Sequence, residues 1–280
     1  MKKIIIKSTG FYLNTLAYVN PGLLKRKGYE LFCNPLSKKV QPHHLAFLQT
    51  AEMFNFNFEE KKMQAYKWGN GSKKVILMHG WASNTFRWRK IIEKLIQDDF
   101  TVYAFDAPGH GLSEGKLLNL LIYKNCLEVF LKNVEKIDYA IAHSVGGFAL
   151  QYMLYDNKTS GIKKAVVMGA PGEADDFFVF YKELLSLSKK SIRLIIEQFE
   201  NKLGNQPSFF SAKRFAKEID IPVLLIHDKY DKDTNPNYTE QLSKLIKNNT
   251  LIMTEGLGHN LKSKELDNQI IDFINEYSLN

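Results

Sequence analysis

A serine stands where a predicted strand changes into a predicted helix. The apolar run from Ile137 to Ala142 leads into His143-Ser144-Val145-Gly146-Gly147, after which apolar residues recur at helical spacing. A serine at so sharp a turn has a strained backbone, and small residues two positions before and after it let strand and helix approach each other. Ala142 and Gly146 meet that requirement. Ser144 is therefore predicted to be a nucleophile exposed at the turn, with an ordinary helix cap as the alternative.

The elements that would position this serine alternate along the chain from residue 62 onward. Met63 to Trp68, the turn Gly69-Asn70-Gly71 and Lys74 to Met78 predict a β-hairpin. Further strands are predicted at 101–105, 137–142, 164–169, 222–227 and 249–253, and helices at about 85–97, 118–133, 146–156, 237–247 and 264–276. This alternation predicts an α/β fold, with a mainly parallel sheet covered by helices on both faces.

Two segments lie outside this alternation. About 50 residues separate the strand ending near Gly169 from the one beginning at Ile221-Pro222, far more than one crossover helix needs. Its stretches Phe177 to Leu187 and Ile192 to Leu203 predict two helices, and Asn20-Pro21 predicts the start of another that ends before Asn34-Pro35. The expected domains are a basic, helical N-terminal extension at 1–60, a core at 61–170 and 218–280, and a helical lid insertion at 171–217.

Positive charge is concentrated at the start of the chain. Of the net charge of +8, +7 lies in the first 50 residues, on Lys2, Lys3, Lys7, Lys25, Arg26, Lys27, Lys38 and Lys39 against Glu30. Such an arm is either a solvated face or a contact for an anionic partner. We expect no nucleic-acid partner and leave peripheral membrane contact open. No run approaches the ~20 apolar residues of a membrane-spanning helix, and no cleavage pattern follows Met1 to Val19, which predicts a cytoplasmic protein.

No metal or cofactor is expected. Asp231, Asp233 and Asn235 have the first spacings of a calcium loop, but Pro236 and Leu242 replace its glycine and glutamate. Histidines 79, 110, 143 and 227 do not form an H-E-x-x-H motif. Cys33 and Cys126 have no spacing typical of a redox pair.

Four motifs, taken together and in order, resemble those of the α/β-hydrolase superfamily, over roughly residues 62–280. Ser144 lies in A-x-S-x-G, a mild departure from the family's G-x-S-x-G. The others are His79-Gly80-Trp81, the turn Asp106-Ala107-Pro108-Gly109-His110-Gly111-Leu112-Ser113, which matches D-x-P-G-H-G-x-S, and Gly256-Leu257-Gly258-His259. The resemblance implies a doubly wound sheet of the α/β-hydrolase type.

The same resemblance implies roles for single residues. Ser144 would be the nucleophile and His259 its general base, with the backbone N–H groups of Trp81 and Val145 as oxyanion donors, each worth about 3 kcal/mol. The family's H-G-x-x-D pattern places the triad acid at Asp231. Because Asp228 stands where that pattern has glycine, the alternative acids are Asp228, Asp233 and Glu173.

The function implied is hydrolysis of an ester-type bond in a small molecule, a carboxylic ester or thioester with an apolar part. Aspartate replaces Ser144 in the haloalkane dehalogenase and epoxide hydrolase branches, which are thereby excluded, and His79-Gly80-Trp81 resembles the loop of small carboxylesterases. The expected substrate pocket consists of His79, His143, Phe177, Phe178 and Tyr181, although packing within the lid is the commoner role of phenylalanines in such an insertion. The alternative function is a ligand-binding protein of the same fold with negligible turnover.

Overall fold

The computed structural model describes residues 2–36 and 40–276, so the predicted basic residues Lys38 and Lys39 lie outside the described residues. The chain divides into two compact units. The core unit contains Pro35–Gly172 and Ala212–Asn280, and the helical unit contains Met1–Asn34 and Glu173–Ser211. The division differs from the expected one in that residues 35–60 belong to the core unit, whereas the start of the chain shares a unit with the insertion.

The core unit is built on an eight-stranded sheet in the order β1-β2-β4-β3-β5-β6-β7-β8. The strands are β1 (Glu52–Phe58), β2 (Lys61–Trp68), β3 (Lys73–Met78), β4 (Phe100–Phe105), β5 (Tyr139–His143), β6 (Lys164–Met168), β7 (Val223–Asp228) and β8 (Asn249–Thr254). The pairs β1–β2 and β2–β4 are antiparallel, and all other pairs are parallel. The predicted α/β fold class is confirmed.

Eleven helices are found among the described residues. They are α1 (Lys2–Val19), α2 (Pro21–Phe32), α3 (Pro42–Leu48), α4 (Arg89–Gln97), α5 (Leu120–Asn133), α6 (Val145–Asp156), α7 (Ala174–Leu185), α8 (Lys189–Leu203), α9 (Ala212–Ala216), α10 (Pro236–Ser243) and α11 (Lys264–Asn275). Strands β4, β6 and β7 are buried along their whole length, as continuous apolar runs in a covered parallel sheet require. The helices predicted from residue 118 onward are confirmed to within a few residues, except that α10 ends about four residues early.

The predicted β-hairpin is wrong. β2 and β3 are consecutive in the chain, but β4 lies between them and pairs with both. The glycine-rich turn is real, yet Gly71 packs against the backbone of Asp99 and Phe100 and has no room for a Cβ atom. The hairpin of the structure is β1–β2, joined by Glu59 and Glu60, which both have positive φ (48° and 61°). Two-residue turns of this kind favour glycine or asparagine, so two glutamates gave no warning of it.

The helical unit contains α1, α2, α7 and α8. Asn20 caps α2 by accepting a hydrogen bond from the backbone N–H of Leu23, as Asn20-Pro21 predicts. Within the unit, α1 approaches α7 so closely that a Cβ atom on Gly10 would overlap the carbonyl oxygen of Leu185. The side chain of Asn14 secures the same region, since its Oδ1 accepts from the N–H of Ser188 and from the hydroxyl of Ser191.

Aromatic side chains of the insertion form the interior of this helical unit. Phe178 stacks on Phe32 of α2, with ring centroids 4.4 Å apart, and contacts Phe199 of α8 edge-on at 5.0 Å. Tyr181 is buried as well, and its hydroxyl donates to the carbonyl oxygen of Gly28. Phe178 and Tyr181 therefore take part in packing between the helices of this unit, the alternative that the sequence offered for the aromatic residues of the insertion.

The contact at Gly10 generates a prediction about stability. Gly10→Ala should lower the free energy of unfolding of the helical unit by about 2 kcal/mol, because the added methyl group forces α1 away from the backbone of α7. The control is Gly22→Ala in α2, where a Cβ atom would meet only the Asn20 side chain at 3.7 Å. Denaturant unfolding followed by circular dichroism compares the two, and equal effects at both glycines would contradict the packing argument.

Candidate active site

Ser144 occupies the turn between β5 and α6 in an unusual backbone conformation. Its φ is 55° and its ψ is −127°, a region that L-residues rarely adopt. Close packing holds it there, since a Cβ atom at Gly146 would lie only 2.6 Å from the carbonyl oxygen of His79. The backbone N–H of Ser144 donates to the carbonyl oxygen of Met168 at the end of β6. The close approach of α6 to the end of β3 is therefore the reason why a small residue, Gly146, must stand two positions after the serine.

Ser144, His259 and Asp231 are joined in one line of hydrogen bonds. The Oγ atom of Ser144 lies 3.0 Å from Nε2 of His259, and Nδ1 of His259 lies 2.8 Å from Oδ2 of Asp231. Because a carboxylate only accepts, Nδ1 of His259 carries a proton and donates to Asp231. In the neutral ring, Nε2 is then an acceptor and faces the serine hydroxyl. The arrangement is the one that allows an imidazole to take a proton from a serine.

Asp231 is held in its charged form. Burial disfavours the carboxylate, but hydrogen bonds with His227 and His259 and from the backbone N–H groups of Thr234 and Asp233 outweigh this cost. The pKa of Asp231 consequently lies well below its usual range. Its side chain is inaccessible to solvent, whereas the side chain of His259 is 19% exposed. The negative charge beside Nδ1 is therefore permanent at neutral pH.

The three other candidate acids have different partners. Asp228 is fully buried and accepts hydrogen bonds from the backbone N–H groups of Tyr230 and Leu257 and from the hydroxyl of Thr254. These bonds connect the turn after β7 to β8 and the loop that follows it, and they hold the pKa of Asp228 below its usual range in spite of burial. Asp233 donates its N–H to Asp231. Glu173 belongs to the helical unit, where its carboxylate accepts from Ser211.

The loop after β3 lies directly against the serine. A Cβ atom at Gly80 would stand 2.8 Å from Cβ of Ser144, so only glycine permits this approach. The next residue is Trp81, whose N–H is an expected oxyanion donor and whose side chain is partly exposed. Val145, the other expected donor, is the first residue of α6, and its N–H is among those that a helix N-terminus leaves without an intrahelical partner.

Two buried histidines hold this loop. His79 donates from Nδ1 to the carbonyl oxygen of Gly80 and accepts at Nε2 from the N–H of Ala107. His110 accepts at Nε2 from the N–H of Ala82, at 3.1 Å, and donates to the carbonyl oxygen of its neighbour Pro108. Burial lowers the pKa of His79 to about 4 and that of His110 to about 3, so both rings stay neutral. The expectation that His79 lines a substrate pocket stays a prediction.

Asp106 completes the support of the loop and was not recognised from the sequence. It is fully buried and accepts hydrogen bonds from the hydroxyl of Tyr66 and from the backbone N–H groups of Thr85 and Leu112. Thr85 opens the single 3₁₀ turn that follows the loop. The first residue of the D-x-P-G-H-G-x-S motif therefore organises two neighbouring turns, and its position at the start of that motif was the available indication.

His143 supports the opposite side of the site. Its Nε2 atom donates to the backbone carbonyl oxygen of His259 at 2.7 Å, and the two rings are 4.8 Å apart. Burial and the charge of Arg87 hold the pKa of His143 well below its usual value, so the ring is neutral. The residue before Ser144 thereby fixes the turn that carries His259. The expectation that His143 lines a substrate pocket stays a prediction.

Asp231, Asp233 and His259 bring three possible metal-ligand atoms within 4.8 Å of one another. His259 has no nitrogen left for a metal, because Nδ1 is hydrogen-bonded to Asp231 and Nε2 faces Ser144.

Of the expected pocket residues in the insertion, Phe178 and Tyr181 are buried within the helical unit and Phe177 is half-buried.

Known proteins resemble part of this chain in sequence and most of it in fold. Residues 73–193 match a family model described as the alpha/beta hydrolase fold. A pimeloyl-[acyl-carrier protein] methyl ester esterase from Proteus mirabilis is 31% identical over 104 residues, which are 37% of this chain and 39% of that protein. Three other curated relatives are matched over 21–29% of their length. The chain therefore spans well under half the length of these curated relatives.

Solved structures align over nearly their whole length. An esterase from Pyrococcus furiosus aligns with a TM-score of 0.64 at 18% identity, covering 86% of this chain and 95% of that one. A putative lipase from Acinetobacter baumannii aligns with a TM-score of 0.64 at 17% identity, covering 85% and 97%. With the sheet order and the serine turn described above, these matches show that the chain has the α/β-hydrolase fold.

The conformation of Ser144 generates a prediction that does not involve activity. Ser144→Gly should be more stable than Ser144→Ala by about 1 kcal/mol, because glycine adopts the observed backbone angles without strain. Ser8, an exposed residue inside α1, supplies the control pair, where the glycine variant should instead be less stable than the alanine variant. The denaturant midpoints of the four variants measure these differences in stability. If the glycine and alanine variants have the same order of stability at both positions, the backbone of Ser144 is not strained.

Proposed function

We propose that the chain is a serine hydrolase that cleaves an ester-type bond through an acyl-enzyme intermediate. One observation carries the proposal: the unbroken line of hydrogen bonds from Asp231 through His259 to Ser144. The serine at its end has the strained backbone of a nucleophile elbow. The similarity of part of the chain to a methyl ester esterase supports the same class of reaction.

In the first half of the proposed reaction, Oγ of Ser144 attacks the carbonyl carbon of the substrate while Nε2 of His259 takes its proton. The negative oxygen of the tetrahedral intermediate accepts hydrogen bonds from the N–H groups of Trp81 and Val145. Protonated His259, stabilised by the charge of Asp231, then gives the proton to the departing alcohol or thiol. In the second half, a water molecule activated by His259 repeats these steps and releases the acid.

For the substrate we propose a small ester or thioester with an apolar part. The helical insertion leaves the core after the carboxyl end of β6, which lies in the sheet between β5, the strand before Ser144, and β7, the strand before Asp231. In open parallel sheets, ligands bind outside the carboxyl ends of the strands. We therefore propose that the insertion, with Phe177, acts as a lid that contacts the apolar part.

A set of four variants tests the assignment of the acid. Asp231→Asn should reduce kcat by up to ~10⁴-fold, because His259 loses the carboxylate that fixes its tautomer. Glu173→Gln should be near wild type, and Asp228→Asn should keep far more activity than Asp231→Asn, with reduced stability because it supports loops. Ser144→Ala is the blank. Steady-state hydrolysis of a simple ester provides the measurement, together with labelling by a fluorophosphonate probe.

Labelling of Ser144→Ala equal to that of the wild-type chain would contradict the nucleophile, and a nearly active Asp231→Asn would contradict the acid. The alternative of a ligand-binding protein predicts a third pattern. In that case, the wild-type chain would bind the ester reversibly, with turnover no faster than Ser144→Ala.

A graded panel of esters and thioesters, from acetyl to octanoyl, tests the apolar pocket. Catalytic efficiency should rise with acyl length until the pocket is full, because each buried methylene gains ~0.8 kcal/mol. Phe177→Ala should reduce the octanoyl rate more than the acetyl rate. Phe180→Ala is its size-matched control, since Phe180 lies in the same helix with its side chain 62% exposed. A flat dependence on length, or equal effects of the two variants, would count against the proposed lid contact.

A further inference from the structure

Exposed apolar side chains are concentrated on the helical unit. Fifteen large hydrophobic residues are exposed among the described residues, and nine of them belong to this unit, which holds only about a quarter of the chain. Six lie on α1 alone: Ile4 (68%), Ile5 (64%), Phe11 (75%), Tyr12 (49%), Tyr18 (70%) and Val19 (76%). Scattered exposed apolar residues are normal for a globular protein, whereas six on one helix are not.

These six residues form a single face of α1, which we call the α1 face. They occur as adjacent pairs at seven-residue intervals, so the pairs align along the helix over roughly 22 Å. Together with the exposed residues Ser8 and Thr15, they occupy an arc of roughly 140° at 100° per residue. The opposite side of the helix, with Gly10, Leu13 and Ala17, is buried in the helical unit. The α1 face is therefore not needed to hold the unit together.

The charged residues of α1 are all positive. No acidic residue occurs in α1, and the exposed side chains of Lys3 and Lys7 follow one border of the apolar arc. Neither lysine forms a salt bridge within the part of the chain that the structure describes. At the C-terminal end of the face, the ammonium group of Lys190 in α8 lies 4.1 Å from the centre of the Tyr18 ring. An apolar strip bordered by unpaired lysines is complementary to a surface that is apolar beneath and anionic above.

We propose that the α1 face docks the protein on the surface of an anionic lipid bilayer, with α1 lying parallel to that surface. Ile4, Ile5, Phe11 and Val19 would enter the boundary of the acyl chains. Tyr12 and Tyr18 present an apolar ring with a polar tip, as residues at headgroup depth do. The orientation agrees with the finding that no described helix combines the length and hydrophobicity needed to cross a bilayer.

The pattern of the face favours a lipid surface over a partner helix. A helical partner requires a continuous seam of apolar residues at alternating spacings of three and four. Between Ile4, Phe11 and Tyr18, the positions that would complete such a seam are Ser8 and Thr15. A lipid bilayer does not require a continuous apolar seam, because its fluid acyl chains fill the spaces between the paired side chains. This inference does not depend on the proposed hydrolase activity.

Vesicle co-sedimentation of the full chain tests the proposal. The protein should bind vesicles of phosphatidylcholine mixed with phosphatidylglycerol more tightly than vesicles of phosphatidylcholine alone, and added salt should reduce the difference. Phe11→Ser combined with Tyr18→Ser should weaken binding to both kinds of vesicle by more than roughly tenfold, as the loss of two buried aromatic side chains requires. Lys3→Gln combined with Lys7→Gln should remove mainly the preference for the anionic vesicles.

Ile96→Ser is the matched control, because Ile96 is a partly exposed apolar residue of α4 in the core unit. It should bind vesicles like the wild-type chain, and circular dichroism should show that all variants are folded. Vesicle binding unaffected by the Phe11 and Tyr18 substitutions would overturn the proposal. So would a wild-type chain that ignores vesicles but forms a dimer that these substitutions dissociate, since the face would then serve a second copy of the chain.

Discussion

The backbone conformation of Ser144 is the constraint around which the core unit is arranged. This conformation, with φ 55° and ψ −127°, costs a non-glycine residue of the order of 1–3 kcal/mol in free energy. It persists only where the packing of the surrounding residues excludes other backbone conformations. Gly146 brings α6 against the end of β3, Gly80 brings the next loop against the serine itself, and the N–H of Ser144 is bonded to β6. The ends of β3, β5 and β6 thus meet at Ser144, and in this conformation its hydroxyl lies 3.0 Å from Nε2 of His259.

Neutral histidines provide the second level of this arrangement. A neutral imidazole has one donor and one acceptor, so burial converts a side chain that could titrate into a fixed connector. His79 and His110 use both nitrogens to secure the loop after β3, and His143 uses one to secure the turn of His259. His259 differs because it is partly exposed and lies beside a permanently charged carboxylate. Only this histidine combines access with a charged partner.

The sequence was informative where local pattern and long-range structure agree. Continuous apolar runs predicted β4 to β8, and the strand, small residue and helix around Ser144 predicted the turn. The sequence led to the wrong β2–β3 hairpin because strand pairing depends on residues far apart in the chain. β3 pairs in parallel with β4 and β5 instead of with β2, and a turn motif does not reveal this pairing. The family pattern favoured Asp231 over Asp228, the last residue of β7, but the sequence left both open. In the structure, Asp228 accepts hydrogen bonds from three donors, which lie in the turn after β7, in β8 and in the loop after β8. Asp231 instead lies within hydrogen-bond distance of His259, which supports its proposed role as the acid.

Helix α1 shows why hydrophobic periodicity alone could not define the start of the chain. A helix with one apolar side produces a clear 3.6-residue pattern, whereas α1 is apolar on two sides, and the two patterns overlap in the sequence. One side, with Leu13 and Ala17, is buried by the helices of its own unit. The other has no such reason to be apolar, and the loss of solubility that it causes needs a compensating contact. An apolar stretch interrupted by lysine, serine and threonine is too polar for the interior of a bilayer. At the bilayer surface those same residues remain hydrated beside the headgroups. One side of α1 can then pack in the helical unit while the other contacts the lipid.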